Sequence, residues 1–232
     1  MKYRLPPKIP PGNAIAVDTE TTGLNVRKGD QPYIISFCNE DGETCVFEWP
    51  VDPFTRCVKA SPRDLKILRP WFGDPNIAKV FHNSNFDLSM IEVGLGIPVR
   101  GQIHDTMIAM HCWRSYEKSY GLKELANKYL EFDDDDEKAL RDATIAARRK
   151  AKSLGWSIAD DVEPDYWLLM ALDPKNRLCR VYADRDAQRT MLLWMFAKIG
   201  LDQDGTWDTY EDEMQVCRAL GAIGHRGIRI DL

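Results

Sequence analysis

The sequence predicts an α/β fold with a mixed five-stranded sheet, in which an antiparallel hairpin forms one edge, parallel strands follow, and helices cover both faces. Three apolar runs near the N-terminus have the length of strands, and Asp41-Gly42 between the second and third is a strong hairpin signal. After residue 60 the chain alternates helix and strand patterns. Right-handed crossovers through these helices would make the first, fourth and fifth strands parallel.

Five segments are expected to be strands because each is a short, mostly apolar run. In chain order they are residues 13–20, 33–38, 44–49, 78–82 and the surroundings of Ile103. Helices are expected where apolar residues recur every three or four positions, and Ser61-Pro62 has the cap residue and proline typical of a helix start. The expected helices are residues 62–73, 86–94, 104–113, a segment from 121 onward, 177–200 and 210–223. Residues 227–231 have the pattern of a further strand.

The 232 residues are enough for one sizeable α/β domain and a short appendage. We expect a Pro-rich lead-in at 1–12, the main domain at 13–200 and a separate segment at 201–232. Within the main domain, residues 132–164 change in character, from an acidic run to an Ala-rich basic stretch. We interpret them as a solvated, helix-rich insertion, with a nucleic-acid contact through residues 148–152 as the alternative.

Composition excludes several classes of protein. The formal net charge of −5 argues against tight nucleic-acid binding by the bare protein, so any such grip would come from metal ions, local patches or another domain. The six cysteines are dispersed without a C-x-x-C pair, which argues against a zinc ribbon and a disulfide framework and favours reduced thiols in a cytosol. The N-terminus lacks the pattern of a signal peptide and no apolar run approaches membrane-spanning length, so no membrane partner is expected.

Two carboxylates close the first strand. Asp18 and Glu20 are two residues apart, so their side chains point to the same side of the strand, next to the core. Unpaired buried charges are costly and are usually offset by a partner or a metal. Asp18 and Glu20 are therefore candidate metal ligands, although a strand end with two solvated acids explains this tripeptide alone equally well.

Two later segments add three candidates. Asp87 falls in the first turn of the helix after the fourth strand, and Tyr182 and Asp186 lie four positions apart on one face of the long helix. Taken singly, Asp87 could cap its helix, Asp186 could pair with a neighbouring arginine, and Tyr182 could be a core aromatic. If the fourth strand lies beside the first, however, Asp87 comes close to Asp18 and Glu20, and the long helix covers the same edge.

Three segments, in this order, resemble the exonuclease motifs of the DEDD superfamily of 3′–5′ exonucleases. They are Asp-Thr-Glu-Thr-Thr-Gly-Leu at 18–24, Asn-Ser-Asn-Phe-Asp at 83–87 and Tyr-x-x-x-Asp at 182–186. The four acids that match the superfamily are Asp18, Glu20, Asp87 and Asp186. The chain resembles the Tyr subgroup, because Tyr182 stands four positions before the last acid, whereas the His subgroup carries histidine where this chain has Val181.

Within that superfamily the chain resembles the proofreading domain of family A DNA polymerases, phage ones in particular. The resemblance covers residues 13–200 and continues into 211–231, a segment that leads into the polymerase domain in those enzymes. It implies a ribonuclease-H-like fold, single-stranded DNA with a free 3′ end as substrate, nucleoside 5′-monophosphates as products, and a polymerase domain in the same or a companion chain as partner. It also implies a cytoplasmic location, in a bacterial cell or a phage-infected host.

The resemblance further implies two divalent ions, Mg²⁺ with Mn²⁺ as a substitute. We expect Asp18 to bridge both ions, while Glu20 and Asp186 complete the ion that binds the attacking water. Asp87 would hold the other ion, largely through water. Tyr182 would orient the attacking water, since a phenol with an ordinary pKa of about 10 is a poor base near neutrality.

Three further residues are expected to bind the substrate. By resemblance, the Thr21 backbone and Asn83 would hold the 3′-terminal nucleotide, and Leu24 would wedge against the terminal bases. Two alternative functions stay open. One is an RNA 3′ exonuclease similar to ribonuclease D, which shares the tyrosine arrangement, and the other is a catalytically silent domain that scaffolds a polymerase or grips a strand.

Overall fold

The computed structural model describes residues 13–133, 135–156 and 166–227. Its strands are β1 (Ala14–Thr21), β2 (Pro32–Asn39), β3 (Thr44–Glu48), β4 (Ala78–Phe81) and β5 (Ile103–Asp105). They form one five-stranded sheet in the order β3-β2-β1-β4-β5. The pairs β1/β2 and β2/β3 are antiparallel, whereas β1/β4 and β4/β5 are parallel. The mixed sheet, its hairpin edge and the pairing of the fourth strand with the first are confirmed.

Helices cover both faces of this sheet. They are α1 (Pro62–Phe72), α2 (Ser84–Ser89), α3 (Thr106–Trp113), α4 (Leu122–Leu130), α5 (Asp135–Ser153), α6 (Tyr166–Leu172), α7 (Leu178–Gln203) and α8 (Trp207–Arg226). Phe37 and Cys38 are consecutive in β2 and so point to opposite faces. The Phe37 ring packs on Trp71 of α1, with ring centroids 4.9 Å apart, whereas Cys38 lies close enough to Asp184 of α7 for that charge to raise its pKa, after burial as the main cause.

Two predicted helix boundaries were wrong, and one side chain accounts for both. The helix expected at 86–94 is α2 followed by a π-helical turn at Met90–Gly94, and the helix expected from 104 begins at Thr106. The buried Asp105 accepts the N–H groups of Asn83 and Ser84 at 3.2 and 2.6 Å, which starts α2 early. The same carboxylate accepts the N–H of Met107 at 2.9 Å, so it caps α3 while residues 103–105 remain in β5.

The expected insertion is helical but only partly solvated. One face of α5, with Leu140, Ala147 and Ala151, is buried in a second apolar cluster that also contains Trp167 of α6 and Ala183 of α7. The basic side chains at 149, 150 and 152 are exposed on the other side of α5. The described part of the insertion therefore packs against the main domain. The predicted lead-in at 1–12 and the predicted strand after Gly227 lie outside the described residues.

Helix α8 belongs partly to the main core. Tyr210 and Met214 are buried there, whereas Val216, Leu220 and Ile223 are exposed. The Tyr210 hydroxyl lies 3.0 Å from His104 Nδ1 and accepts the Asp105 N–H at 3.1 Å. The start of α8 is therefore bonded to the end of β5. Over the described residues, no helix is both long and apolar enough to cross a membrane.

Helices α3 and α7 approach each other closely at Gly200. A β-carbon built on Gly200 would overlap the indole ring of Trp113. We expect Gly200→Ala to lower the free energy of unfolding by about 1–3 kcal/mol, because overpacking forces the ring or the helix to move. Urea unfolding followed by tryptophan fluorescence measures this. The matched control is Gly224→Ala in α8, where a β-carbon would meet nothing within 4 Å and stability should hold or rise slightly. Equal stability of Gly200→Ala and wild type would contradict the close approach.

Candidate active site

Three acids from two elements converge at one edge of the sheet. One carboxylate oxygen from each of Asp18, Glu20 and Asp186 lies within 4.8 Å of the other two. Asp18 and Glu20 both point toward α7 because they alternate with Thr19 along β1, and Asp186 faces them from that helix. The pairing of β1 with β2 shifts register between Glu20 and Thr21, so the strand irregularity begins directly after the second acid.

Asp87 reaches the same edge from the next strand along. It lies in the first turn of α2, which follows β4, and it is 3% exposed. Its Oδ1 accepts the Thr19 hydroxyl at 2.6 Å, and Thr19 is a residue of the first motif to which sequence analysis gave no role. Asp87 stands outside the group of three, yet its charge adds to the repulsion that raises the pKa values of Asp18 and Glu20.

These acids are held in an environment that disfavours their charged forms. Burial, followed by repulsion from Glu20, Asp186 and Asp87, raises the pKa of Asp18 well above its usual range. Burial and the charge of Asp186 raise the pKa of Glu20 to about 8, and burial raises the pKa of Asp87 to about 7. Within the described part of the chain, Asp18 Oδ2 has no hydrogen-bond partner.

A hard divalent cation fits this arrangement. Carboxylate oxygens are the ligands that Mg²⁺ and Mn²⁺ prefer, and a cation would stabilise the ionised forms that burial and mutual repulsion disfavour. The unpartnered Oδ2 of Asp18 offers it a free lone pair. The donor set is carboxylates alone, which fits Mg²⁺ better than zinc.

Tyr182 lies beside the acids, one helical turn before Asp186, as predicted. Its hydroxyl accepts a hydrogen bond from Lys123 Nζ at 2.5 Å, and the same ammonium donates to Asp186 Oδ2 at 3.0 Å. Burial, followed by the charges of Asp186 and Glu20, raises the pKa of Tyr182 far above its ordinary value, so the side chain is a neutral phenol. Sequence analysis missed Lys123, because only the packing of α4 on α7 links it to the acids.

The three predicted substrate-binding residues lie at the carboxyl ends of the neighbouring strands β1 and β4. The Thr21 hydroxyl donates to the Gly23 carbonyl at 2.7 Å, and Leu24 follows with 62% of its side chain exposed. Asn83 has a left-handed backbone, with φ of 64°, at the start of α2. The structure thus places all three at the edge that carries the acids.

Comparison with known proteins identifies the family. The model of the DNA polymerase A 3′-5′ exonuclease domain matches residues 7–196. The chain belongs to this family of 3′–5′ exonucleases. Among curated relatives, DNA polymerase DpoZ of Vibrio phage phiVC8 is 27% identical over 227 residues, which are 93% of this chain and 32% of that protein. The chain therefore spans about a third of the length of that relative.

Two solved structures illustrate the shared fold. Brucella melitensis NrnC with bound Mg²⁺ superposes with a TM-score of 0.64 at 22% identity, over 92% of this chain and 86% of that one. Escherichia coli RNase D, an exoribonuclease involved in structured RNA processing, gives a TM-score of 0.59 at 19% identity, over 90% and 44%. At these identities the likeness concerns the fold, and the predicted ribonuclease-H-like architecture is confirmed.

The raised pKa values make the stability of the metal-free protein depend on pH. Between the ordinary pKa of Glu20 and about 8, the folded state binds more protons than the unfolded state, so stability falls as pH rises. Asp87 acts in the same direction up to about pH 7. We expect the melting temperature in chelator to fall between about pH 5 and pH 8, and Glu20→Gln to weaken that fall. The control is Glu213→Gln, an exposed change on α8 that should leave the wild-type slope. Identical slopes for wild type and Glu20→Gln would contradict the raised pKa.

Proposed function

We propose that this chain is a proofreading-type 3′–5′ exonuclease that hydrolyses the terminal phosphodiester bond of single-stranded DNA and releases nucleoside 5′-monophosphates. The observation that carries the proposal is the convergence of Asp18, Glu20 and Asp186 within 4.8 Å, with Asp87 close enough for its charge to help raise the pKa of Asp18. DNA is proposed in preference to RNA because curated relatives such as DpoZ are DNA polymerases. The fold shared with RNase D keeps an RNA 3′ exonuclease as the second candidate.

The four acids would hold two divalent ions, Mg²⁺ with Mn²⁺ as a substitute. Ions bound there supply a hydroxide nucleophile and stabilise the negative charge that develops on the phosphate. The Mg²⁺ bound in NrnC, a protein of the same fold, supports this choice of ion. The acids themselves repel the DNA backbone, so the site should be inert without metal.

Tyr182 would orient the attacking water through its hydroxyl. Because its pKa is raised, the phenol of Tyr182 stays protonated. It can therefore donate a hydrogen bond, but it cannot act as a general base. The Tyr182 hydroxyl accepts a hydrogen bond from Lys123 and forms a second one with Tyr166, so these two residues hold the phenol beside the acids.

The Thr21 backbone and Asn83 would bind the 3′-terminal nucleotide, and Leu24 would pack against its base. The exposure of Leu24 and the left-handed backbone of Asn83 support these roles, since a wedge must be accessible and strained backbone often marks functional positions. The assignment concerns binding, whereas the four acids and Tyr182 would carry the chemistry.

A polymerase domain in the same or a companion chain is the proposed partner, because DpoZ of Vibrio phage phiVC8 is a DNA polymerase about three times as long as this chain. In this proposal residues 1–12 are a lead-in, 13–200 are the exonuclease domain with its insertion at 132–164, and 201–232 begin the connection to the polymerase. The exposed Val216, Leu220 and Ile223 on α8 suit a face directed at that domain. The proposed location is the cytoplasm of a bacterial cell or a phage-infected host.

Digestion of a 5′-labelled single-stranded DNA with Mg²⁺ tests the proposed activity. We expect a ladder that shortens from the 3′ end and disappears with chelator or with Asp18→Ala, because the acids then lose their ion. Asp142→Ala, an exposed change on α5, is the control and should keep the ladder. The same oligonucleotide as RNA separates the two candidates, since faster digestion of RNA favours the ribonuclease-D-like function. No ladder on either substrate with any divalent ion would favour the catalytically silent domain.

Tyr182→Phe isolates the role of the hydroxyl. We expect kcat to fall about tenfold to a hundredfold with KM nearly unchanged, because the water loses an orienting group while the ions and the DNA stay bound. Single-turnover digestion measures the chemical step directly. Tyr129→Phe, which removes a hydroxyl on α4 that bonds Glu117, is the matched control. If kcat of Tyr182→Phe equals that of the wild type, the orienting role of the hydroxyl is contradicted.

A further inference from the structure

Arg189 is a buried cation behind the acidic cluster. It follows Asp186 by one turn of α7 and is 1% exposed. Its Nη1 donates to Asp186 Oδ1 at 2.6 Å and to Asp136 Oδ2 at 2.9 Å, and its Nη2 donates to Asp136 Oδ1 at 2.6 Å. Nη2 also donates to the Asp133 carbonyl at 2.7 Å. A buried guanidinium is tolerated only when such bonds satisfy it, so one arginine ties the insertion to the active site.

The segment that leads into α5 wraps around this arginine. The Phe132 ring lies 5.2 Å from Arg189 Cζ and 5.3 Å from Arg185 Cζ. Arg185 Nη2 pairs with Asp133 at 2.8 Å, nearer the surface. Asp136 is 3% exposed in its side chain and lies in the first turn of α5, where the helix dipole favours a negative charge. Burial opposes that charge, but the hydrogen bond and charge of Arg189 outweigh it and lower the pKa of Asp136.

The positive charge of Arg189 is shared between two acids, Asp136 and Asp186. Asp136 meets the Arg189 guanidinium through both carboxylate oxygens, at 2.6 and 2.9 Å. Arg185 Nε lies farther from Asp136, at 3.5 Å, and Arg185 also pairs with Asp133 at 2.8 Å, so the charge of Asp136 compensates mainly Arg189. The charge of Asp186 is then left for a cation in the cluster. One oxygen of Asp186 is fixed by Arg189 on the buried side, and the other faces Lys123, whose side chain is 20% exposed.

We propose that Arg189 and Asp136 are positioning residues, which fix the orientation of the Asp186 carboxylate and preserve its charge for metal binding. The inserted helix α5 is thereby part of the catalytic apparatus, through Asp136. This inference rests on the proposed metal-dependent function of the same site.

Metal binding without DNA gives the first test. The melting temperature of chelator-treated protein is recorded against Mg²⁺ concentration, because a ligand that binds only the folded state raises it. In Asp136→Asn the charge of Arg189 is no longer compensated and acts on Asp186 alone. We expect the Mg²⁺ concentration that gives the half-maximal rise to increase about tenfold or more. The control is Asp133→Asn, which makes the same change at an exposed aspartate that pairs with Arg185. Its half-maximal Mg²⁺ concentration should equal that of the wild type.

Equal Mg²⁺ titrations of Asp136→Asn and wild type would overturn the proposal. If the wild-type melting temperature does not change with Mg²⁺ or Mn²⁺, the metal-dependent function is overturned, and with it the positioning role of Arg189 and Asp136. These two failures are distinguishable, because only the second removes the response of the wild-type protein.

A double variant covers the outcome in which Asp136→Asn fails to fold. Asp136→Leu/Arg189→Met replaces the buried ion pair by apolar side chains, a change that folded proteins often tolerate. Asp186 then keeps its charge but loses its fixed orientation, so we expect kcat to fall about tenfold to a hundredfold while KM for DNA stays the same. A folded double variant with wild-type kcat would overturn the positioning role.

Discussion

The crowding of like-charged carboxylates at the end of β1 is the constraint on which the rest of this structure depends. Asp18 and Glu20 stand at the carboxyl end of a central strand, and Asp186 faces them from α7. Burial at this edge makes the negative charges of Asp18 and Glu20 unfavourable, and repulsion from the neighbouring acids raises the pKa values of both further. A protein without a use for a cation would gain stability by replacing them. The fold accepts the cost because the sheet, α2 and α7 are held together elsewhere by apolar packing.

Counter-charges around the cluster are arranged in two layers. Lys123 stands on the accessible side, where its ammonium bonds both Tyr182 and Asp186. Arg189 stands on the buried side, with its charge matched by Asp136. The side chain of Lys123 is 20% exposed, whereas Arg189 is fixed by four hydrogen bonds on the buried side. Electrostatic preorganisation of this kind lets a site bind charge without rearranging its own framework.

Much of the fold could be predicted from the sequence, because local signals and global topology agree. The Asp41-Gly42 hairpin, the apolar runs and the crossover rule were sufficient to predict the antiparallel edge and the three parallel strands. The resemblance to the exonuclease motifs singled out the four acids and Tyr182, and the structure brings all five side chains to one edge of the sheet. The pairing of Asp186 with a neighbouring arginine was considered from the sequence, and the structure shows it with Arg189. Lys123 and Asp136 were not singled out, because they lie on α4 and α5 and only tertiary packing brings them to Asp186 or its partner Arg189. The helix boundaries near Asp105 failed for a similar reason, as a side chain distant in sequence caps two helices at once.

The hydrogen bond between Tyr210 and Asp105 at the end of β5 determines whether α8 can be removed without disturbing the rest of the domain. The Tyr210 hydroxyl, which accepts the Asp105 N–H, lies on α8, after the end of α7. The Asp105 carboxylate in turn accepts the N–H of Asn83, at the edge of the sheet that carries the acids. The Arg27 guanidinium, just after the first acidic motif, likewise donates to the Gly224 carbonyl near the end of α8. A piece cut after α7 would keep Asp18, Glu20, Asp87 and Asp186 and still lose the hydrogen bonds through which α8 holds β5 and the loop after β1. Helix α8 is therefore part of the framework that holds the acidic edge of the sheet.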